Sequence, residues 1–189
     1  GEDNSVVDVM IYDLESAKTL KLNIGSQNDQ YMPRIQWTRD ANTLALMRMN
    51  RLQNHLDVLL ADAETGRVST LYTDDDEAYV EVPDTWMFLK DGRHMLITSE
   101  RTGYNHIFLH DMISGTSREL TPGFYDVVAV KGVNEDNGDI FFTAHYTSAI
   151  NTDLMRVNFK VSEKKSKSSA SICGTGCSSG RSRSVSSST

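Results

Sequence analysis

The chain has 189 residues and a formal net charge of −7, unevenly spread: residues 1–159 hold 13 Lys and Arg against 25 Asp and Glu, residues 160–189 hold 6 against 1. An acidic body excludes nucleic acid as its natural partner, because neutralising phosphates needs Lys and Arg gathered on one face. No apolar run approaches the roughly 18 residues of a membrane-spanning helix, so no membrane span is expected.

The start, Gly1-Glu2-Asp3-Asn4, is polar and acidic, unlike a signal peptide, and reads as a segment of something longer. Residues 6–14 alternate well enough for a strand, and a turn around Ser16 leads to a second strand at 19–22. Residues 25–30 are a polar connector. A full four-strand unit follows. Its first strand covers 32–37, with Pro33 confined to the strand's start or edge because it has no N–H for a ladder. A turn at 40–42, a strand at 44–49, a connection at 50–54, a strand at 56–61, a turn at 64–66 and a last strand at 67–72 complete it.

Residues 74–77 are four consecutive acids, Asp74-Asp75-Asp76-Glu77. They lack the spaced ligands and the glycine of a calcium loop, so a solvated connection is the ordinary reading. The second full unit runs from Trp86 to Thr121, with Asp91-Gly92 as a hairpin turn signal. A third unit opens at 127–130. Asn137-Gly138, the strongest two-residue hairpin signal in the chain, joins it to a strand at 140–144, and 154–159 forms a third strand. No fourth strand is expected after it.

These units recur at a measurable spacing. Asp13 to Asp62 is 49 residues, Asp62 to Asp111 is 49, and Asp40 to Asp91 is 51. A period of about 40–50 residues with four strands per unit is the signature of a β-propeller blade. Such a unit cannot cover its own apolar faces and must stack on a neighbour. The expected class is all-β, a partial β-propeller with about two complete four-stranded antiparallel blades and two incomplete ones. Blades are placed near 6–24, 33–73, 85–122 and 126–159, the first lacking its opening two strands. Residues 160–189, rich in Ser, Gly, Arg and Lys, bury too little apolar surface to offset chain entropy and read as a disordered basic tail, of vector or out-of-frame origin.

Self-contained catalysis finds little support in these residues. His106 and His110 share one strand face, but zinc needs a third ligand that nothing supplies. His55, His94 and His145 fall near turns or strand ends, where a structural or solvent-facing role is the ordinary one. No Gly-x-Ser-x-Gly elbow of a hydrolase is read in the chain, and the many tail serines have no histidine after them. Cys173 and Cys177 have three residues between them and no second pair, which makes a weak zinc or redox signal and leaves the body's redox compartment open. Arg181-Ser182-Arg183-Ser184 is too short a basic run to carry RNA binding. No cofactor and no metal are expected.

Three blocks carry a family resemblance. Tyr31-Met32-Pro33-Arg34-Ile35-Gln36-Trp37, followed by Arg48-Met49-Asn50-Arg51-Leu52-Gln53-Asn54, resembles a blade of bacterial dipeptidyl peptidase IV, whose members carry a strand–Arg–x–Gln–Asn element there. Phe88-Leu89-Lys90-Asp91-Gly92 through Thr98-Ser99-Glu100-Arg101-Thr102-Gly103-Tyr104-Asn105-His106-Ile107 is more specific, and Leu120-Thr121-Pro122-Gly123-Phe124-Tyr125-Asp126-Val127 is similar to the next blade boundary. The resemblance covers about residues 8–159. It implies a fragment of an N-terminal eight-bladed propeller that caps a C-terminal α/β-hydrolase and helps remove X-Pro or X-Ala dipeptides from peptide N-termini. The catalytic triad, the paired glutamates for the substrate's amine and the arginine for its carbonyl are implied to lie in other segments. Some members add a Phe-Arg contact from the loop that here holds Tyr79-Val80-Glu81-Val82. Neither residue is present, so Tyr79 and Glu81 stand only as substrate-rim candidates.

The first functional expectation is therefore a non-catalytic segment that gates and positions peptide substrates for a hydrolase domain, in a longer protein expected to be periplasmic or secreted and homodimeric. The other is a propeller scaffold for protein–protein interaction with no peptidase role, since fold alone does not fix function.

Overall fold

The structure, a computed structural model, describes residues 6–26 and 29–160 and the backbone of Ser171–Ile172. All regular elements among the described residues are strands, and no helix there is long and apolar enough to cross a membrane. The chain divides into two compact units, Gly1–Val82 and Pro83–Thr189.

In the first unit β1 (Met10–Asp13) and β2 (Lys18–Lys21) form an antiparallel pair. β3 (Gln30–Tyr31), β4 (Ile35–Trp37), β5 (Thr43–Asn50), β6 (His55–Asp62) and β7 (Val68–Asp75) form one antiparallel meander. β3 and β4 are two pieces of a single inner strand, both paired with β5. The break falls at Met32, Pro33 and Arg34. Pro33 has no N–H, and the Arg34 carbonyl takes the Met47 N–H as pairing resumes. Pairing thus begins at Gln30, two residues before the expected start, with Pro33 inside the strand's span rather than at its opening.

The face of β5 and β6 that carries Leu44, Leu46, Leu59 and Ala61 buries these against Val9, Leu22 and Ile24 from the β1–β2 region. Burying one such aliphatic side chain contributes about 1.5–3 kcal/mol, so this contact holds the two sheets of the unit together. The alternate residues Ala45, Met47, Met49, Leu56 and Val58 are buried too. Residues on both faces of β5 and β6 are therefore buried.

In the second unit β8 (Trp86–Phe88), β9 (His94–Ser99), β10 (His106–Asp111) and β11 (Thr116–Glu119) form a second four-stranded meander. β12 (Val127–Asn134), β13 (Asp139–Ala144) and β14 (Asp153–Asn158) form a third sheet, joined at its edge by the two-residue β15 (Ser171–Ile172). Leu96, Ile107 and Leu109 of one sheet and Ile140, Phe142, Met155 and Val157 of the other share one core. The class is all-β with successive antiparallel blades, a partial propeller, as the 49-residue spacing implies.

Two turn and edge expectations need correction. Asn137-Gly138 does not make a two-residue turn: Asn134 pairs with Asp139, leaving residues 135–138 as the connection. The Asn134 side chain accepts the Asn137 N–H and the Asn134 carbonyl accepts that of Gly138, whose φ is 81°. The third blade also does not stop at three strands, because Ser171 and Ile172 pair with Arg156 and Met155. The remaining tail, with Cys173, Cys177 and residues 181–184, lies outside the described residues.

Candidate functional site

Antiparallel meanders place the hairpin between their second and third strands at the same end as the connection leaving the fourth. In the first unit these are residues 50–55 and 76–82. The hairpin is locked by Asn50, whose Oδ1 accepts the N–H groups of Asn54 and His55 and whose Nδ2 donates to Asn54 Oδ1 at 2.7 Å. Gln53 sits in the left-handed region at φ 57°. Its carbonyl accepts the Val80 N–H at 2.7 Å, and the Asn54 carbonyl accepts that of Asp76 at 3.1 Å. Asp76 Oδ1 in turn accepts the N–H groups of Ala78 and Tyr79. The 76–82 segment is thus stitched to the hairpin at two points. Val80 is buried, while Tyr79 and Glu81 on either side of it are exposed. Both sequence candidates therefore stand on one short, anchored segment and face solvent.

A polar ladder beneath this segment was not singled out from sequence. Arg48, Asp57 and Thr73 are aligned across β5, β6 and β7, and the next rung holds His55 opposite Asp75. Arg48 donates to Asp57 Oδ2 at 2.6 Å and to the Ile24 carbonyl at 2.9 Å. Thr73 Oγ1 donates to Asp57 Oδ1 at 2.8 Å. His55 Nδ1 bonds Asp75 Oδ1, and its Nε2 lies 3.2 Å from Asp57 Oδ2. The bond to Asp75 raises the His55 pKa above its ordinary value against the effect of burial, with Asp57 adding to the rise. Burial pushes the Asp57 carboxyl up, but the Arg48 and Thr73 bonds and the nearby charges outweigh it and leave the pKa lowered.

The pairing explains why this ladder was hidden. Val58 pairs with Tyr72 but Leu59 pairs with Thr70, so Leu71 is an extra residue in β7. That bulge reverses the alternation and brings Thr73 and Asp75 onto the face of Asp57 and His55. It sends Asp74 to the other face, where it accepts from the Tyr72 hydroxyl at 3.2 Å. The acidic run at 74–77 therefore splits: Asp74 is buried on one side, Asp75 pairs with His55 on the other, and Asp76 caps a turn. No group of three or more His, Cys, Asp or Glu is placed to hold a metal among the described residues.

The other histidines hold structure. His106 occupies in β10 the place His55 occupies in β6, yet is buried: its Nε2 faces the Gly123 carbonyl at 3.2 Å and its Nδ1 the Thr121 hydroxyl at 3.3 Å. His110 is buried beside Ser117, His94 is held by Asp91, and His145 meets the Asn151 carbonyl in a loop. The tail string Gly176-Cys177-Ser178-Ser179-Gly180 does spell Gly-x-Ser-x-Gly, but no acid or histidine follows it in the sequence, so two members of a triad are missing from it.

A family model described as the dipeptidyl peptidase IV (DPP IV) N-terminal region matches residues 1–186. Venom dipeptidyl peptidase 4 of Vespa velutina is 24% identical over 156 residues, which cover 76% of this chain and 20% of that protein. Among solved structures, dipeptidyl peptidase 4 of Porphyromonas gingivalis has a TM-score of 0.80 at 26% identity, with 93% of this chain and 24% of that one covered. A putative dipeptidyl aminopeptidase IV of Bacteroides ovatus has a TM-score of 0.72 at 29% identity, with 81% and 24% covered. The chain spans a quarter or less of the length of these relatives. With the match running through all the blades described above, this chain belongs to the family of the dipeptidyl peptidase IV N-terminal region.

Proposed function

We propose that this chain is a non-catalytic propeller segment of a dipeptidyl peptidase IV-like serine exopeptidase, where it gates and positions peptide substrates for an α/β-hydrolase domain. The family membership supports the setting. The observation that carries the positioning role is the 76–82 segment: Val80 and Asp76 fasten it to the 50–55 hairpin, while Tyr79 and Glu81 are left facing solvent at the sheet end. A phenol and a carboxylate held on pinned backbone can bind and align a peptide at little entropic cost, because the segment is ordered before the peptide arrives. The same reading puts the longer protein in the periplasm or outside the cell, and the substrate class is peptides with a free N-terminus.

Two measurements test this. The purified 189-residue chain is expected to show no turnover of a Gly-Pro chromogenic substrate. Turnover that a serine-directed inhibitor stops overturns the non-catalytic assignment. In the longer enzyme, Tyr79→Ala and Glu81→Ala should raise KM for peptides of several residues about 3- to 10-fold, the worth of one modest contact, with kcat unchanged. An unchanged KM in both variants removes the positioning role and leaves a propeller scaffold.

A further inference from the structure

We propose that His55 is a proton-operated latch that fastens the 76–82 segment to the 50–55 hairpin. The geometry demands it. Both ring nitrogens of His55 face carboxylate oxygens, Nδ1 that of Asp75 and Nε2 that of Asp57 at 3.2 Å. An ionised carboxylate only accepts hydrogen bonds, and a neutral imidazole has one N–H. Both contacts are satisfied together only when the ring carries two N–H groups and a positive charge.

The surroundings decide which contact depends on the proton. From β5, Arg48 already donates to Asp57, and from β7 the Thr73 hydroxyl does the same. Asp74 points to the opposite sheet face, Asp76 is occupied with the N–H groups of Ala78 and Tyr79, and Arg51 pairs with Asp29. When the ring loses its proton, a lone pair faces one of the two carboxylates. Asp57 stays held by its other donors, but with the one remaining N–H on Nδ1 the Nε2 lone pair faces the Asp57 oxygen at 3.2 Å, which pushes on the ring, and the bond to Asp75 loses its charge assistance and weakens. Asp75 is the last residue of β7. The next N–H, that of Asp76, bonds the Asn54 carbonyl beside His55, and the Val80 N–H bonds Gln53 one residue further back. Loosening Asp75 therefore loosens both stitches. The His55 side chain is 41% exposed, so solvent protons reach it.

The sign follows from the raised pKa: the latch is closed below the ordinary histidine value and opens as pH rises through the higher folded value. The inference goes beyond the proposed function and uses no peptide, so either can fail without the other.

The test combines ring titration of His55 by NMR with amide-exchange protection of Asp76 and Val80 in the full 189-residue chain, from about pH 5.5 to about 9. The His55 midpoint should lie above the ordinary value of about 6.5, and protection of both amides should fall about 2- to 12-fold through that midpoint, the worth of one hydrogen bond. In Asp75→Asn both the midpoint and the step in protection should move to lower pH. In His55→Gln the step should vanish. A midpoint at or below 6.5, protection that ignores the His55 titration, or a step that survives in His55→Gln each overturns the proposal.

Discussion

Arg48 shows how one side chain can tie strand to strand and sheet to sheet. Its guanidinium bonds the Asp57 carboxylate on the neighbouring strand and the Ile24 carbonyl in the chain leaving β2. The Asp57 side chain is 5% exposed and its other oxygen is taken by Thr73, so the carboxylate is close to fully committed. Removing it leaves Arg48 with half its partners and Thr73 with none of the carboxylate. Asp57→Ala should therefore cost about 2–4 kcal/mol in urea denaturation, near the range for breaking a buried pair and reduced because Arg48 is partly exposed. The pH dependence has a defined direction. The folded pKa of Asp57 lies below its ordinary 3.8, so its contribution is present above 3.8 and is lost as pH falls through the lower folded value. The wild-type urea midpoint should drop on the acid side more steeply than that of Asp57→Asn, and equal slopes would remove the assignment.

At the level of the element, the three aspartates spaced by 49 residues do one job. Asp13 Oδ1 accepts the N–H groups of Glu15 and Ser16, Asp62 Oδ1 those of Glu64 and Thr65, and Asp111 Oδ1 those of Ile113 and Ser114. Each closes the turn between the third and fourth strands of its blade, which is why the spacing holds at 49. Four residues after each aspartate the backbone turns left-handed: Gly66 and Gly115 at φ 70°, but Ala17 at φ 53°. A left-handed L-residue costs about 1–2 kcal/mol and glycine about 0.5–1 kcal/mol in unfolded-state entropy. Ala17→Gly should therefore raise stability by about 0.5–1 kcal/mol, and Gly66→Ala should lower it by a similar amount, read from urea midpoints at constant slope. The blades were legible because these turn aspartates and the alternating apolar runs are local signals. The polar ladder was not, because the extra residue Leu71 reverses which of residues 73–75 share a face with His55, and a bulge leaves no mark in composition. The four-residue connection at 135–138 escaped for a related reason: Asn134 supplies a cap that competes with the tighter Asn-Gly turn.

At the scale of the whole molecule, the described strands leave backbone and apolar surface without cover. Among the described residues β1 pairs with β2 alone, and Met10, Tyr12 and Leu14 are 57%, 58% and 87% exposed around it. A strand with one open edge and large apolar neighbours is a template for another chain, and natural sheets blunt such edges with charge or cover them. The net charge of −7 opposes association only at long range and is screened beyond about 8–10 Å at ordinary salt. The 189-residue chain is therefore expected to self-associate as concentration rises, visible as a mass above monomer in light scattering and as a broad thermal transition that shifts with concentration. Tyr12→Lys places a charge beside the open edge without disturbing the core of β5 and β6, and should return the mass toward monomer. A monomeric mass with a sharp, concentration-independent melt in the unsubstituted chain would show that the edge is already protected. Association that persists unchanged in Tyr12→Lys would instead locate the sticky surface elsewhere, with the exposed Phe124 and Ile150 of the second unit as the next surfaces to charge.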